Sequence, residues 1–229
     1  VQTLLDEHAP VFDAQRATTA IFYSISNTQV GLRGVSFGNF LLKRVIEDLQ
    51  RDFPRLEQFA TLSPIPGLRR WVEKHPQEWA TVFDADLRER LARHLPDGAV
   101  PSEDALRALL ADGAWAGNER LARALQPALT RLAARYFLHA KAAERGEKGG
   151  EPGASVAKPF DPVARFHLGN GARVERINPL GDTSPNGFKQ SYGLMVNYLY
   201  DPDGIEANVE AFARAGNIAA SGTVRRAGR

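Results

Sequence analysis

Residues 18–67 decide the fold, and they read TTAIFYSISNTQVGLRGVSFGNFLLKRVIEDLQRDFPRLEQFATLSPIPG. The apolar and β-branched residues of 18–26 predict a buried strand. After a glycine-rich turn, apolar side chains recur every three or four residues over 39–52, which is typical of a helix that packs on a core. Residues 56–62 predict a second strand, which should end where prolines bar both helix and ladder continuation. The order is therefore strand, glycine turn, helix, strand.

The block that follows, residues 68–141, is rich in Ala, Leu, Arg and Glu, and we interpret it as a helical insertion. Pro127 lies inside the last helical pattern and is expected to kink or divide that helix. The tryptophans of the block could pack internally or against another subunit. The pattern predicts helices near 68–74, 77–94, 102–112 and 118–141, and the tryptophans are Trp71, Trp79 and Trp115.

Residues 142–159 hold several glycines and few apolar side chains, so we expect a mobile surface loop there. The remaining chain, residues 160–229, returns to a mixture of helix and strand patterns. Further along we predict a helical turn at 162–168, strands at 172–178 and 193–200, a helix at 204–214 and a polar tail.

The composition excludes several classes of site. The 229 residues include no cysteine, which excludes disulfides, thiolate zinc sites, iron-sulfur clusters and cysteine nucleophiles. No apolar run approaches the roughly 18 residues of a membrane-spanning helix. The 29 Lys and Arg nearly balance 27 Asp and Glu, which argues against nucleic acid as a partner. We expect one soluble domain with an insertion and, because the chain starts at Val1, the C-terminal part of a longer polypeptide.

The turn at residues 29–38, QVGLRGVSFG, is a candidate phosphate-binding loop. Glycines let backbone N–H groups converge, and the helix that follows supplies its positive N-terminus, so such a turn binds a pyrophosphate well. A tight turn needed only for close packing explains the same residues. The turn matches neither the dinucleotide fingerprint nor the Walker A spacing. Its RGVSFG segment resembles the loop with which GCN5-related acetyltransferases hold the pyrophosphate of coenzyme A.

His167 and Ser63 are candidate reactive residues. His167 lies in FHLGNG, where a bulky apolar flank precedes a Gly-Asn-Gly turn, and its reference pKa of about 6.5 suits proton exchange near neutral pH. A buried structural histidine explains this pattern equally well. Ser63 stands where a strand stops, beside prolines that fix its backbone, although a serine there is also typical of a plain turn. The other histidines, His8, His75, His94 and His139, lie in polar or helical surroundings and are expected at the surface.

Several segments together resemble malonyl-CoA decarboxylase, in the right order over about residues 20–200. The resemblance implies the C-terminal catalytic domain of that family and an α+β, acetyltransferase-like (GNAT) fold, a mixed sheet flanked by helices. Residues 1–67 and 160–229 would then be two parts of one catalytic domain. The segments are IFYSIS-x-TQ-x-GL, GNFLLKRVIEDLQRDFP, TLSPIPG, RALQPALTRL, PVARFHLGNGA and GLMVNYLY.

The same resemblance implies roles for individual residues. Ser63 in SPIPG and His167 in FHLGNGA would be catalytic, and Tyr200 in NYLY would line the site. Ser36 stands where some relatives carry an acidic residue, so no carboxylate role transfers to that loop. The coenzyme A loop would comprise Arg33, Gly34, Val35, Ser36, Phe37, Gly38 and Asn39.

The implied reaction converts malonyl-CoA to acetyl-CoA and CO2 through a thioester enolate that is protonated at C2, with no metal or organic cofactor. It needs a grip on coenzyme A, stabilisation of the thioester oxygen and a proton donor beside C2. We expect His167 to deliver that proton, and Ser63 to bind the substrate carboxylate or orient His167. The alternatives are a coenzyme A-dependent acyltransferase with His167 as base, and a non-catalytic acyl-CoA-binding module. We also expect a bacterial, cytoplasmic homo-oligomer.

Overall fold

The computed structural model describes residues 8, 13–23, 38–95, 99–142 and 158–229, with the backbone alone at 38–41. Helices pack around a four-stranded mixed sheet, which is the α+β architecture that the sequence predicts. In chain order the elements are a 3₁₀-helix (Ala14–Arg16), β1 (Thr19–Tyr23), α1 (Gly38–Asp52), β2 (Gln58–Pro64), α2 (Leu68–Lys74), α3 (Gln77–Ala80), α4 (Ala85–Ala92), α5 (Glu103–Leu109), a second 3₁₀-helix (Ala114–Gly117), α6 (Glu119–His139), α7 (Pro162–Gly169), β3 (Arg173–Asn178), α8 (Pro185–Ser191), β4 (Met195–Tyr200), α9 (Ile205–Ala215) and α10 (Gly222–Ala227).

The strands of the sheet lie in the order β1-β2-β4-β3. β1 and β2 run parallel, with Tyr23 opposite Leu62, and α1 lies between them in the chain. Parallel neighbours require such a crossover connection. β4 runs antiparallel to both β2 and β3 and places Val196 opposite Ser63. The two central strands, β2 and β4, therefore carry Ser63 and Tyr200.

β2 extends beyond its predicted end. Ser63 and Pro64 still pair with Val196 and Met195 of β4, so the prediction that the prolines stop the ladder after Leu62 was wrong. Pro64 has no N–H to donate, but it is the last residue of the strand and lies beyond the last pair with β1. Proline is tolerated at such a position. Ser63 is consequently held within the sheet rather than in a turn.

The helical block departs from its predicted boundaries in two places. The helix expected over 77–94 is divided, because Asp84 starts α4 by accepting the N–H of Leu87 at 2.9 Å. α6, in contrast, runs as one helix through Pro127, so of the expected kink or division, the division was wrong. An interior proline costs a helix about 3 kcal/mol. The burial of eleven α6 residues offsets that cost.

The helical block and the sheet share one hydrophobic core. Leu125 and Leu132 of α6 are fully buried in the same cluster as Tyr198 of β4. Phe137 of α6 meets the Tyr198 ring edge-on, with 6.2 Å between the ring centroids. The tryptophans pack internally rather than on the surface: Trp71, Trp79 and Trp115 are all buried.

The last residues form a helix where a polar tail was predicted. Ser221 starts α10 by accepting the N–H of Val224, whose side chain is buried against the rest of the protein. α10 packs on α6 and β3, which is why this polar segment is ordered. No helix within the described ranges is long and apolar enough to cross a membrane.

Most of the segment predicted to be a mobile loop, residues 143–157, lies outside the described residues. Its two ends are joined. The N–H of Ala142 donates to the carbonyl of Lys158 at 2.9 Å, and Lys141 bridges to Pro159. The segment therefore leaves and re-enters the fold at one point, between α6 and α7.

Candidate active site

α7, which carries His167, is a short helix with a capped N-terminus. Asp161 accepts the N–H groups of Val163 and Ala164, each at 2.9 Å, and so satisfies two donors that a helix N-terminus leaves free. Pro162 follows at the first helical position, where its missing N–H costs nothing. The helical spacing then buries Ala164 and His167 on one side.

The Gly-Asn-Gly turn after His167 ends α7 abruptly. Gly171 has a φ of +82°, a conformation that residues with a Cβ rarely adopt. A Cβ at Gly171 would also lie 2.5 Å from the carbonyl oxygen of Ile205. The turn therefore lets the chain pass close to α9 and enter β3 directly.

His167 is 3% exposed and contacts two hydroxyl groups. Its Nε2 lies 3.3 Å from Ser63 Oγ, and its Nδ1 lies 2.8 Å from Tyr200 Oη. The Tyr198 ring stacks on the imidazole, with 4.4 Å between centroids. The fold thus brings together Ser63, His167 and Tyr200, three residues that the sequence analysis singled out far apart in the chain.

Thr61 extends this group of hydrogen-bonded side chains. Its Oγ1 lies 2.9 Å from Ser63 Oγ and accepts the backbone N–H of Tyr198 at 3.3 Å. Sequence reasoning missed both Thr61 and Tyr198. The alternation of side chains along a strand could have found them, because each stands two residues before Ser63 or Tyr200 and shares its face.

Burial decides the protonation state of His167. It lowers the pKa of His167 from 6.5 to about 4, because removing the imidazolium from water disfavours the charged form. At neutral pH the imidazole is therefore neutral, and its pKa lies well below the near-neutral value that was expected to suit proton exchange. Burial also raises the pKa of Tyr200, which keeps the phenol protonated. One nitrogen of His167 donates and the other accepts, so Ser63 and Tyr200 both find a partner in either tautomer.

Ser63 and His167 line one cavity of about 470 Å³. That volume lies in the range of about 300–1,000 Å³ that is common for small-molecule sites. Asp182 is the only carboxylate among the described lining residues, and Lys and Arg are absent from that part of the wall. Other walls come from the end of β1, from α7 and from α8, through Phe22, Tyr23, Val163, Asn186 and Gln190.

The sequence analysis missed α8 and therefore one wall of the cavity. Ser184 caps α8 by accepting the N–H of Gly187, and Pro185 occupies its first turn. This Ser-Pro start is a helix signal that could have been recognised. The apolar periodicity was too weak to reveal the helix, because only seven residues, PNGFKQS, form it.

The structure describes only the last two residues of the predicted coenzyme A loop. Arg33, Gly34, Val35, Ser36 and Phe37 lie outside the described residues, whereas Gly38 and Asn39 form the first turn of α1. Tyr23, the last residue of β1 and the last described residue before that loop, lines the cavity. In the described ranges no group of three or more His, Asp or Glu residues is arranged to hold a metal ion.

Comparison with known proteins places the chain in a family. The family described as "Malonyl-CoA decarboxylase C-terminal domain" matches residues 1–228. The mitochondrial malonyl-CoA decarboxylase of Anser anser anser is 40% identical over 91% of this chain, and that of Rattus norvegicus is 39% identical over 96%. The chain spans only 40% and 43% of the length of these two curated relatives.

Solved structures agree with the sequence comparison. The malonyl-CoA decarboxylase of Rhodopseudomonas palustris matches 98% of this chain at 45% identity, with a TM-score of 0.74. That of Agrobacterium vitis matches 100% of this chain, also at 45% identity and a TM-score of 0.74. The chain covers 45% and 49% of those two structures. By sequence and by fold, it belongs to the malonyl-CoA decarboxylase C-terminal domain family.

Proposed function

We propose that this chain carries the reaction site of a malonyl-CoA decarboxylase, which converts malonyl-CoA to acetyl-CoA and CO2. The family match over residues 1–228 supports this function. The observation that carries the proposal is the 3.3 Å contact between Ser63 Oγ and His167 Nε2 at the wall of a substrate-sized cavity. A proton donor and a polar anchor beside one cavity are what the decarboxylation of a thioester requires.

Coenzyme A is held by the backbone of Arg33–Asn39 in this proposal, with its pyrophosphate at the N-terminus of α1. Two features support the placement. The first turn of α1 begins at Gly38, and a helix N-terminus attracts phosphate through its free N–H groups. The segment also starts from the cavity wall at Tyr23. In this proposal the pantetheine arm carries the malonyl group from the loop into the cavity.

The first chemical step breaks the bond between C2 and the carboxylate. CO2 leaves, and the electron pair of that bond passes into the thioester, giving an enolate. A carboxylate in a poorly hydrated cavity gains by leaving as neutral CO2. The described lining supports this step, because it includes the acidic Asp182, whose negative charge disfavours a second carboxylate in the same cavity.

His167 supplies the proton that completes the reaction. The enolate that forms as CO2 leaves favours the imidazolium, because a nearby negative charge stabilises the protonated form and opposes the effect of burial. The imidazole takes one proton from solvent, and the imidazolium delivers it to C2 after CO2 has left. One proton is consumed in each turnover, which balances the conversion of a carboxylate to CO2 and a C–H bond. The position of His167 in the last turn of α7 also favours the cation.

Ser63 and Tyr200 hold the imidazole at its two nitrogens. Tyr200 Oη fixes the ring through Nδ1, so that Nε2 is directed to the Ser63 side. The Ser63 hydroxyl then binds the substrate carboxylate or the enolate oxygen while it remains close to Nε2. This division of labour leaves His167 as the proton donor and Ser63 as the group that orients substrate and imidazole.

We further propose the properties that the resemblance implies for the whole protein. The parallel pair β1 and β2, joined through a glycine-rich segment and a helix, supports an acetyltransferase-like (GNAT) arrangement. No metal or organic cofactor takes part in the proposed reaction. The protein is proposed to act as a bacterial, cytoplasmic homo-oligomer.

One assay tests the function. The full-length protein is incubated with malonyl-CoA, with and without an amine acceptor, and CO2, acetyl-CoA and acylated amine are measured. We expect equal amounts of CO2 and acetyl-CoA in both reactions. Acyl transfer to the amine, or binding without turnover, would contradict the proposal and identify an acyltransferase or a binding module instead.

A second experiment tests the coenzyme A loop. Gly38→Val adds a side chain where the loop meets α1, and we expect KM for malonyl-CoA to rise by about tenfold or more because phosphate contacts are lost. Gly117→Val serves as the control, because a Cβ at Gly117 meets open space. A folded Gly38→Val protein that binds coenzyme A normally would show that the loop is assigned wrongly.

A further inference from the structure

Asp161 does more in this structure than start a helix. Its side chain is 2% exposed, which is unusual for a carboxylate. Oδ1 accepts the N–H groups of Val163 and Ala164, while Oδ2 accepts the hydroxyl of Tyr136 on α6 at 2.9 Å. The carboxylate therefore ties the first turn of α7 to the middle of the core.

The turn after β2 meets the same carboxylate. The backbone N–H of Gly67, four residues after Ser63, lies near enough to Asp161 to oppose the rise in its pKa. The packing there leaves no room for a side chain, because a Cβ at Gly67 would lie 2.3 Å from Tyr136 Oη. Gly67, Tyr136 and Asp161 thus form a buried junction between the segment that carries Ser63 and the helix that carries His167.

We propose that Asp161 and Tyr136 are positioning residues, which set the distance between Ser63 and His167 by locking α7 to the turn after β2. The inference rests on the proposed function wherever catalytic rate is the readout. Asp161 precedes His167 by six residues, so α7 places the two about 9 Å apart along its axis. If α7 tilts at its Asp161 end, the imidazole of His167 near the other end is displaced.

The contact between Ser63 and His167, near the C-terminal end of α7, is sensitive to small displacements of the helix. Ser63 Oγ and His167 Nε2 are 3.3 Å apart, already longer than an ordinary hydrogen bond. A further shift of a few tenths of an ångström breaks the contact. A displacement of about 1 Å in a reacting group costs up to about a hundredfold in rate. The junction is therefore placed where small losses of rigidity act directly on catalysis.

The pKa values of Asp161 and Tyr136 both depend on the contacts of the junction. Burial raises the pKa of Asp161, whereas the hydrogen bonds from Ala164, Tyr136 and Val163, and the nearby N–H of Gly67, act in the opposite direction. Burial and the neighbouring carboxylate also raise the pKa of Tyr136, which keeps its hydroxyl protonated and donating. Removing either partner leaves a buried polar group without its match, which destabilises the junction.

Tyr136→Phe removes one oxygen from the junction and keeps the ring. In full-length protein we expect kcat to fall about tenfold with KM changed less than about twofold, because the imidazole is misplaced while substrate contacts persist. Asp161→Ala should lower kcat about a hundredfold. Asp161→Asn keeps an oxygen for the helix and a polar partner for Tyr136, so it should restore kcat to within about threefold of the wild type.

Asp84→Ala is the matched control, because Asp84 also starts a helix but holds α4, which carries no residue of the site. Both alanine variants should unfold at lower temperature, and only Asp161→Ala should lose kcat. Loss of stability with normal kcat in both Asp161→Ala and Tyr136→Phe would overturn the inference.

A readout without substrate separates this inference from the proposed function. ¹⁵N NMR of histidine-labelled protein at neutral pH reports the tautomer and hydrogen bonding of His167, with His167→Gln assigning its signals. We expect Tyr136→Phe to shift the His167 signals and Asp84→Ala to leave them unchanged. If the wild type fails to decarboxylate malonyl-CoA, the proposed function fails while this comparison still decides the junction. Unchanged His167 signals in Tyr136→Phe would refute it.

Discussion

The group around His167 and the apolar core under α6 are buried to the same degree but are built on opposite principles. Ser63 and His167 are 6% and 3% exposed, and they depend on specific hydrogen bonds to each other and to Tyr200. Leu125 and Leu132 are 0% exposed and need only contact with other apolar groups. Burial of the first group lowers a pKa, whereas burial of the second stabilises the fold. The same solvent exclusion thus sets a protonation state in one region and stabilises the fold in the other.

The largest expected effect is on the polar side of this comparison. His167→Ala should lower kcat for malonyl-CoA by about 10² to 10⁴-fold, the usual contribution of a general acid, with a smaller change in KM. Ser63→Ala should act in the same direction. The double variant should be little worse than the worse single variant, because the two side chains act as one unit. Steady-state kinetics on full-length protein measures this, and a His167→Ala loss below about tenfold is too small for a proton donor.

A substitution in the apolar core under α6 should change only the stability of the protein. Leu132→Ala empties part of the core under α6 and should lower the free energy of unfolding by about 3 kcal/mol. Because the cavity and its hydrogen bonds are left in place, kcat should stay within about twofold at a temperature where the variant is folded. Urea denaturation and the same kinetic assay give both values. A large loss of kcat in the folded variant would show that the two regions are not separable.

The pH dependence of stability isolates the cost of burying His167. Its folded pKa of about 4 lies below the unfolded value of 6.5, so the unfolded chain binds more protons between these values. The free energy of unfolding should therefore fall as pH drops below about 6.5, by about 2 kcal/mol at about pH 5. His167→Gln should remove this part of the decline, while His94→Gln should keep it. Parallel declines in the wild type and His167→Gln would mean that His167 is not buried as neutral imidazole.

The smallest expected effect concerns two tyrosines on the same face of β4, Tyr198 and Tyr200. Tyr198 Oη is buried without a hydrogen-bond partner among the described residues, whereas Tyr200 Oη contacts His167. Tyr198→Phe should therefore raise the free energy of unfolding by about 1 kcal/mol, since it removes an unsatisfied group and keeps the ring that stacks on His167. Tyr200→Phe should lower both stability and kcat. Thermal unfolding of the two variants is the measurement, and a destabilised Tyr198→Phe protein would point to a partner for that hydroxyl.

Sequence patterns were sufficient for the elements that local physics governs. Strands β1 and β2, helix α1 and helix α7 were all predicted, because their periodicity and end signals are contained in a few neighbouring residues. The prediction was weaker where contacts with distant parts of the chain decide whether a helix forms. α6 passes through Pro127 unbroken because its partners supply the compensating burial, and the last residues form α10 because α6 and β3 are there to receive it. The division of the chain at residues 67 and 141 stays a prediction.

The candidate site shows the same limit. Ser63, His167 and Tyr200 were singled out from their motifs, but no local pattern contains the distances of 3.3 Å and 2.8 Å that join them. Residue types by themselves determined which chemistry was available here: a hydroxyl, an imidazole and no thiol. Only the tertiary structure decided that the imidazole is neutral, that Tyr198 covers its face, and that Asp161 and Tyr136 hold its helix in place. The physical reason is that pKa values and hydrogen bonds depend on solvent exclusion and on partners more than a hundred residues away, which exist only once the chain has folded.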